Sequence, residues 1–219
     1  PDYDVITDTT VFIVAGFHGI EAIGPWIVSY AYPYLIGKHL LIMPIANPSG
    51  YVHGTREEFP SKVDPNRDFP FDMSSDNCMV GITSRLMDFI YRNWKIDMSI
   101  TIHQGGQEIA WNWGNPSYER SLTEDSKILA EIGNQLQIQA GSNPSVGMKQ
   151  LINGTMNEII YPVSGSFEDW AYAASWSPGM LQKCKTFDYA PYPKDMHNGL
   201  VYIFEAAPHN IQATSLGAE

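Results

Sequence analysis

Two histidines and a glutamate, all able to bind a metal ion, follow predicted strands at separate places in the chain. His18 and Glu21 form an H-x-x-E motif directly after the apolar run 11–16, and side chains three residues apart share a face where a chain turns into a helix. His103 ends a second apolar segment, and the glycine pair at 105–106 leaves room for an ion beside it. Two imidazoles and one carboxylate around an open fourth position form a ligand set of catalytic zinc.

Each of these residues also has a plainer interpretation when it is taken alone. A lone H-x-x-E motif is more often a loop histidine beside a helix-capping glutamate, and His103 could be a core histidine bonded to a backbone carbonyl. Glu205, at the end of the predicted strand 200–204, would by itself be a surface glutamate. Because strand carboxyl ends gather at one edge of an α/β sheet, the three strand ends favour a shared site, where Glu205 can take a proton from water.

The segment 47–73, rich in Pro, Gly, Asp and Asn, contains residues that suit carboxylate binding. Asn66 and Arg67 offer an amide and a fork-shaped guanidinium, which together can hold a carboxylate. Arg56 lies upstream of this pair in the same segment. A surface Arg-Asp pair is the commoner explanation for such residues. Long irregular segments in compact domains usually carry function, however, so we expect a binding role.

Six short motifs occur in a fixed order along the chain. They are H-x-x-E at 18–21, N-P-x-G-[YF] at 47–51, D-x-N-R-[DN]-[FW] at 64–69, the strand-borne His103, Y-x-x-S-G-x-x-x-D-W at 161–170, and a strand ending in Phe204-Glu205. The same motifs in the same order are typical of the zinc carboxypeptidases, the family of pancreatic carboxypeptidase A, which this sequence resembles. The resemblance runs from residue 11 to residue 205, nearly the whole chain.

This resemblance implies a set of catalytic and metal-binding residues. One zinc ion per chain would be bound by three ligands, which are His18, Glu21 and His103. Glu205 would be the general base that later protonates the leaving amine, and Arg56 would steady the oxyanion of the transition state. A guanidinium near zinc favours such an oxyanion over the neutral carbonyl.

The same resemblance implies the residues that recognise a substrate. Asn66 and Arg67 would hold the terminal carboxylate of a peptide or protein C-terminus, and Tyr161 would close over the bound residue. In this family the position before Asp169 lines the base of the side-chain pocket, and it tends to be acidic in members that remove Lys or Arg. Glu168 occupies that position. We therefore expect a preference for basic C-terminal residues, unless Glu168 is neutralised by an internal partner or points away.

Predicted strands and helices alternate along the chain. Apolar runs predict buried strands at 11–16 and 39–45, the alternation of Met98, Ile100 and Ile102 predicts a strand at 97–103, and a last strand is expected at 200–204. A helix is expected at 25–34, where proline is tolerated in the first turn, and helical spacing predicts helices at 83–94 and 126–139. The segment 157–160 is ambiguous, and 175–198 is expected to form a long excursion without regular structure. The alternation predicts one α/β domain over residues 1–219, with a mixed, mostly parallel central sheet and helices on both faces. The resemblance implies that this fold is carboxypeptidase-like.

Composition and charge restrict the partners. The 219 residues include 13 Lys+Arg and 24 Asp+Glu, a net charge of −11, which argues against nucleic acid and anionic membrane surfaces because both are bound by basic clusters. No apolar run reaches the ~18 residues that a membrane span needs. Cys78 and Cys184 could form one long-range disulfide or remain two buried thiols. The N-terminus does not reveal the compartment, and a secreted or vesicular location is slightly favoured over the cytoplasm.

Two local patterns outside the motifs have structural explanations. Asn153-Gly154-Thr155 fits a glycosylation sequon, but Asn-Gly also favours a plain turn, which we prefer. Trp111 and Trp113 alternate with smaller residues, so we expect them in the core or in a pocket wall rather than in a carbohydrate platform.

Three functions stay open from the sequence. A zinc carboxypeptidase is favoured by the Tyr161 motif. A deacylase of N-acyl amino acids, similar to aspartoacylase and succinylglutamate desuccinylase, would share H-x-x-E and N-R. A non-catalytic peptide-binding relative would have no physical need for Glu205. Only 17 residues precede His18 and 14 follow Glu205, so we expect either a chain incomplete at both termini or a divergent branch.

Overall fold

A six-stranded sheet forms the centre of the protein. The computed structural model describes residues 10–35, 39–72, 76–142, 149–176, 181–185 and 199–207. The strands are β1 (Val11–Ala15), β2 (Leu40–Met43), β3 (Met98–His103), β4 (Glu108–Trp111), β5 (Ile152–Thr155) and β6 (Leu200–Glu205). Their order is β2-β1-β3-β6-β4-β5, and every neighbouring pair is parallel except β4 with β6. The predicted mixed, mostly parallel sheet is confirmed.

Helices cover both faces of this sheet. They are α1 (Ile23–Leu35), α2 (Pro48–His53), α3 (Ile82–Asn93), α4 (Ser126–Ala140), α5 (Met156–Ile159) and α6 (Phe167–Trp176), with a 3-10 turn at Pro116–Tyr118. Alternate residues of β1 separate the two faces: Phe12 and Val14 pack with α3 and α6, whereas Ala15 packs with Val28 of α1. On the far strands, α4 packs Leu129 against Tyr202. In the part of the chain that the structure describes, no helix is long and apolar enough to cross a membrane.

Two buried carboxylates attach the segment between β2 and α3 to the start of α3. The Glu58 carboxylate accepts hydrogen bonds from the backbone N–H groups of Ile82 (2.9 Å) and Thr83 (2.7 Å). Asp68 accepts from the backbone N–H of Gly81 at 2.8 Å and from the Ser84 hydroxyl at 2.5 Å. Carboxylates at a helix N-terminus satisfy its unpaired N–H groups and complement its dipole. The segment that carries Asn66 and Arg67 is therefore anchored to the core on both sides.

The N-P-x-G motif has a local structural cause. The Asn47 side chain accepts a hydrogen bond from the Gly50 backbone N–H at 2.8 Å, and Pro48 occupies the first turn of α2, where its missing N–H costs nothing. The helix ends at Gly54, whose φ of 62° is left-handed. The prediction of an irregular 47–73 segment missed this short helix.

A disulfide joins Cys78 to Cys184, with 5.1 Å between their Cα atoms and a sequence separation of 106. Of the two alternatives that the sequence left open, the structure has the bonded form. The bond lies beside an isolated bridge between Phe71 and Leu181, so it ties the segment 181–185 to the segment before α3.

Seven predicted elements are confirmed to within two residues of their bounds, the ambiguous segment 157–160 overlaps α5, and four other strands and α-helices were not predicted. The missed elements are α2, β4, β5 and α6. Asn153-Gly154-Thr155 lies within β5, so the predicted turn is wrong. Trp111 and Trp113 are each 5% exposed, which confirms a core position. Most of the predicted excursion 175–198 lies outside the described residues.

Candidate metal centre

Three potential ligands converge at the carboxyl edge of the sheet. His18 follows β1, Glu21 precedes α1, and His103 is the last residue of β3. One ligand atom from each lies within 4.8 Å of the others, and all three residues are at most 3% exposed. The Glu21 carboxylate faces both imidazoles, at 2.7 Å from His18 Nδ1 and 2.9 Å from His103 Nδ1. The convergence predicted from the strand ends is therefore present.

Close backbone packing fixes the turn that carries His18. Gly16 has a φ of +65°, and the Asn47 backbone N–H donates to its carbonyl at 2.9 Å. A Cβ at Gly19 would lie 2.0 Å from the carbonyl carbon of Gly50, so no side chain fits between this turn and α2. The glycine inside H-x-x-E is thus required by the approach of the N-P-x-G helix.

A second carboxylate orients His18 from the other side. The Asp64 carboxylate lies 3.1 Å from His18 Nε2, and it accepts a hydrogen bond from Arg56 Nε at 2.9 Å. Burial alone would raise the pKa of Asp64, but the hydrogen bond from His18 and the charges of His18 and Arg56 hold that pKa well below its usual range. A carboxylate on the outer nitrogen of a metal-binding histidine sets the tautomer and increases ligand basicity.

The electrostatics of the three residues favour a cation between them. Burial opposes the charge of Glu21, but interactions with His103 and His18 hold its pKa well below the usual range. Burial also opposes the charge of His103, yet the neighbouring Glu21 carboxylate raises the pKa of His103 to about 9. Without a metal ion, a proton at His103 therefore compensates the buried carboxylate, and a divalent cation would have to displace that proton.

The donor set fits zinc. Two imidazole nitrogens and one carboxylate are ligands that Zn²⁺ accepts, and a three-residue set leaves a position for water or substrate. Both Nδ1 atoms point to the same carboxylate, each to a different oxygen, so one ion between the three side chains could replace these two hydrogen bonds. His18, Glu21 and His103 would hold the ion.

Glu205 lies beside these residues and keeps one oxygen unbonded. It pairs with His103 in the register of β6 against β3, and it lines the same cavity. Its Oε2 atom is buried and has no hydrogen-bond partner among the described residues. Burial raises the pKa of Glu205, the nearby His103 opposes this rise, and the carboxylates of Glu21 and Glu108 reinforce it. A raised pKa suits a carboxylate that must accept and return a proton.

The residues expected to bind a carboxylate line the same cavity. Arg67 Nη2 donates to the Tyr161 hydroxyl at 3.1 Å, and its guanidinium lies 5.9 Å from the centre of that ring. Tyr161 is 53% exposed and lines the cavity. The amide oxygen of Asn66 accepts from the Phe167 backbone N–H at 2.6 Å, which fixes the side chain. Arg56 Nη1 is 3.6 Å from Glu21 Oε1, beside the candidate metal ligands.

The cavity has a volume of about 230 Å³ and one apolar wall. The wall consists of Met156, Ile159, Ile160, Val163 and Ile203. It faces the same space as the guanidinium groups and the candidate metal ligands. The cavity can therefore hold a small molecule that has one carboxylate and one apolar or uncharged group.

The structure places Glu168 behind the cavity and not in its wall. Glu168 is fully buried and is not among the residues that line the cavity. Its carboxylate accepts hydrogen bonds from Thr101 Oγ1 at 2.6 Å and from Asn66 Nδ2 at 3.2 Å. This differs from the expected position at the pocket base, because two buried donors turn the carboxylate inward. The ground for expecting a preference for Lys or Arg is thereby removed.

Two residues of the site were missed from the sequence. Asp64 belongs to the D-x-N-R motif, and its carboxylate two residues before Asn66 could have indicated a partner for a basic ligand. Glu108 begins β4 and lines the cavity opposite Glu205 in the strand register. No signal identified Glu108, since its strand was not predicted.

Comparisons with known proteins agree with this geometry. A family model described as zinc carboxypeptidase matches residues 6–214. Carboxypeptidase A from Helicoverpa armigera matches with a TM-score of 0.71 and 19% identity over 96% of this chain and 55% of that one. Bovine thrombin-activatable fibrinolysis inhibitor, solved in complex with tick carboxypeptidase inhibitor, matches with a TM-score of 0.61 and 23% identity over 75% of this chain and 67% of that one.

A related enzyme class also shares the fold. A succinylglutamate desuccinylase from Silicibacter sp. TM1040 gives a TM-score of 0.53 and 17% identity over 94% of this chain and 52% of that one. The chain thus spans little more than half the length of the carboxypeptidase A and desuccinylase chains. No curated protein matched. Because the family model covers nearly the whole sequence, the chain belongs to the zinc carboxypeptidase family.

Proposed function

We propose that the protein is a zinc-dependent metallocarboxypeptidase that removes single residues from the C-termini of peptides or proteins. The proposal rests mainly on one observation: the cavity that contains the metal ligands and Glu205 also contains Arg67 with Tyr161 beside it. A hydrolytic centre and a carboxylate-binding group within one small cavity select for a bond close to a free carboxylate.

The residues around the cavity divide the chemistry between them. His18, Glu21 and His103 would hold the zinc ion, which would supply Lewis acidity toward a carbonyl oxygen and make water more acidic. Glu205 takes the proton from the attacking water and passes it to the leaving amine, for which its raised pKa is suited. Arg56 places positive charge near the oxyanion that develops in the transition state.

The substrate's terminal residue is held by the other end of the cavity. Arg67 binds the carboxylate, and the remaining N–H of the Asn66 amide adds a second donor. Tyr161 closes over the bound residue. Binding of this kind orients the scissile bond over Glu205 and so lowers the entropic cost of reaction.

The side chain of the terminal residue would contact the apolar wall. That wall supports a preference for aliphatic or aromatic C-terminal residues over Lys and Arg. The expectation of basic selectivity through Glu168 would instead require its buried carboxylate to leave Thr101 and Asn66.

A panel of blocked dipeptides ending in Phe, Leu, Arg or Lys tests this proposal. We expect hydrolysis that phenanthroline abolishes and added zinc restores, with Phe or Leu preferred. Glu205→Gln is the matched control, since it keeps size and metal ligands but removes the base, and it should lower kcat by about 10²-fold or more. Activity that survives metal removal, or a Glu205→Gln variant as active as the wild type, would contradict the proposal.

A deacylase of N-acyl amino acids is the second candidate. It is favoured by the likeness of the fold to the succinylglutamate desuccinylase and by the small cavity. The same assay separates the two classes when N-acetylaspartate and N-succinylglutamate are added to the panel. Turnover of these compounds with no cleavage of dipeptides would assign the deacylase class. Binding of peptides without turnover of either would indicate a non-catalytic relative.

We also propose that the protein works in a secreted or vesicular compartment, with peptide or protein C-termini as its partners. The disulfide between Cys78 and Cys184 supports this location, because such bonds persist in oxidising environments.

A further inference from the structure

The histidine ligand of β3 has an unsatisfied nitrogen on its outer side. His103 Nδ1 faces Glu21, whereas His103 Nε2 is buried and has no hydrogen-bond partner among the described residues. The Glu168 carboxylate faces this nitrogen, with Oε1 at 3.7 Å. When a metal ion binds Nδ1, the ring hydrogen lies on Nε2, and because a buried N–H without a partner is costly, a small adjustment that closes this gap is favourable.

The other histidine ligand shows what such a partner does. His18 Nε2 lies 3.1 Å from Asp64, and its Nδ1 faces Glu21. Each imidazole thus has Glu21 on its inner side and a separate carboxylate on its outer side. Outer carboxylates of this kind fix the ring orientation of metal-binding histidines and strengthen metal binding.

Glu168 is held rigidly enough for this role. It lies in the first turn of α6, is fully buried, and receives hydrogen bonds from Thr101 Oγ1 and Asn66 Nδ2. Thr101 is two residues before His103 on β3, so the strand and the helix are joined at this point. A buried carboxylate is retained only when it is paired, and the nearby imidazole supplies the positive or polarised partner.

Glu168 also connects the metal centre to the carboxylate-binding end of the cavity. One oxygen faces Thr101 and His103, and the other accepts from the amide of Asn66. The preceding residue, Phe167, donates its backbone N–H to the same Asn66 side chain. The first turn of α6 therefore contacts Asn66 and lies next to His103.

From this geometry we infer that Glu168 is a positioning residue, which orients His103 for metal binding and Asn66 for recognition of the substrate carboxylate. The inference rests on the metal centre of the proposed function. It differs from a role in side-chain selectivity, because Glu168 does not line the cavity.

Glu168→Gln tests the inference by keeping the size of the side chain and removing its charge. We expect the affinity for zinc, measured by competition with a chromophoric chelator, to fall about 10- to 100-fold. If the protein hydrolyses dipeptides, KM should rise more than kcat falls, and the ratio of cleavage after Phe and Arg should stay unchanged. Zinc affinity within twofold of the wild type would overturn the inference, as would a changed Phe/Arg ratio with unchanged zinc affinity.

The neighbouring Asp169 supplies a matched control. It is equally buried on the same helix turn, but its oxygens bond the chain at 112–115 and not a metal ligand. Asp169→Asn should lower stability and leave zinc affinity within twofold. Loss of zinc affinity equal to that of Glu168→Gln would show a general effect of damaging α6, and would contradict a specific role for Glu168.

Thr101→Val covers the case in which Glu168→Gln does not fold. It removes only the hydroxyl that holds Glu168 Oε1 and preserves the β-branched shape. We expect a several-fold loss of zinc affinity, and an unchanged affinity would overturn the inference. The zinc measurement needs no substrate, so it remains decisive if no hydrolysis is found and the proposed function fails.

Discussion

The Asp169→Asn substitution removes one acceptor from a fully buried cluster of hydrogen bonds. Asp169 Oδ1 accepts from Asn112 Nδ2 at 2.9 Å and from the Gly114 backbone N–H at 3.0 Å, while Oδ2 accepts from the Asn115 backbone N–H at 2.7 Å. Asparagine has the same shape but presents an NH₂ group in place of one oxygen. In either orientation, at least one buried N–H would face another donor.

The size of the effect depends on pH. A buried donor left without an acceptor costs about 1–3 kcal/mol. Burial raises the pKa of Asp169 to about 6 from 3.8, so between those values the folded protein holds a proton that the unfolded chain releases. The stabilising contribution of this protonation is complete below about pH 4 and is lost as the pH rises through about 6. We therefore expect the variant to lose about 3 kcal/mol near pH 4.5 and about 1 kcal/mol near pH 7.

Urea unfolding of the wild type and the variant at both pH values measures this difference. Glu131→Gln, at an exposed position of α4, is the control and should change the free energy of unfolding by less than about 0.5 kcal/mol. Because Gly114 packs against Met156 and Val163 of the apolar wall, the variant should also raise KM for dipeptides. A loss that is the same at both pH values, or one below about 0.5 kcal/mol at pH 4.5, would refute this reasoning.

Three further predictions concern the metal centre and the chain around it. Because Glu21 raises the pKa of His103 to about 9, zinc must displace a proton, so the affinity of the protein for zinc should rise with pH below about 9 at up to tenfold per pH unit. Calorimetry in buffers of different ionisation enthalpy should detect about one released proton, and equal zinc affinities at pH 6 and 8 would contradict this prediction. Gly19→Ala should lower zinc affinity and the melting temperature, because its Cβ would lie 2.0 Å from the backbone of Gly50. The control Gly54→Ala places its Cβ in open space and should lower the free energy of unfolding by only about 1 kcal/mol through left-handed strain, so similar losses in both variants would refute the packing argument. The double substitution of Cys78 and Cys184 by serine opens a loop of 106 residues and should lower the free energy of unfolding by about 2–5 kcal/mol. Chemical denaturation measures this loss, and an unchanged free energy of unfolding would contradict a bonded pair.

The sequence predicted the parts of the site that depend on strand ends. Apolar runs locate β1, β3 and β6, and a parallel sheet brings their carboxyl ends to one edge, so the convergence of His18, His103 and Glu205 followed from chain order. The β1, β3 and β6 strands lie side by side in the sheet, as that convergence requires.

Other elements could not be predicted because distant contacts decide them. Asn153-Gly154 forms part of β5 since it pairs with Ile109 and Ala110 of β4, and that pairing overrides the local turn preference. A Cβ at Gly154 would lie 2.9 Å from the Ile159 side chain, so this glycine serves close packing instead of a turn.

The direction of the Glu168 side chain was likewise not encoded locally. Its donors are Thr101, which is 67 positions away, and Asn66, which is 102 positions away. A motif fixes the residue type at position 168 but not which of two neighbouring spaces the carboxylate enters. The hydrogen bonds of buried donors decide this, because burying a carboxylate without them is costly.

Zinc titration of the wild type and of His103→Ala tests the central claim most directly. If His18, Glu21 and His103 form one metal centre, isothermal titration calorimetry will give one zinc ion per chain for the wild type and a zinc affinity at least 100-fold weaker for His103→Ala. The control His53→Ala changes an exposed side chain of α2 and should bind zinc as tightly as the wild type. Zinc binding of equal strength in His103→Ala and the wild type, or no binding by either, would contradict the account.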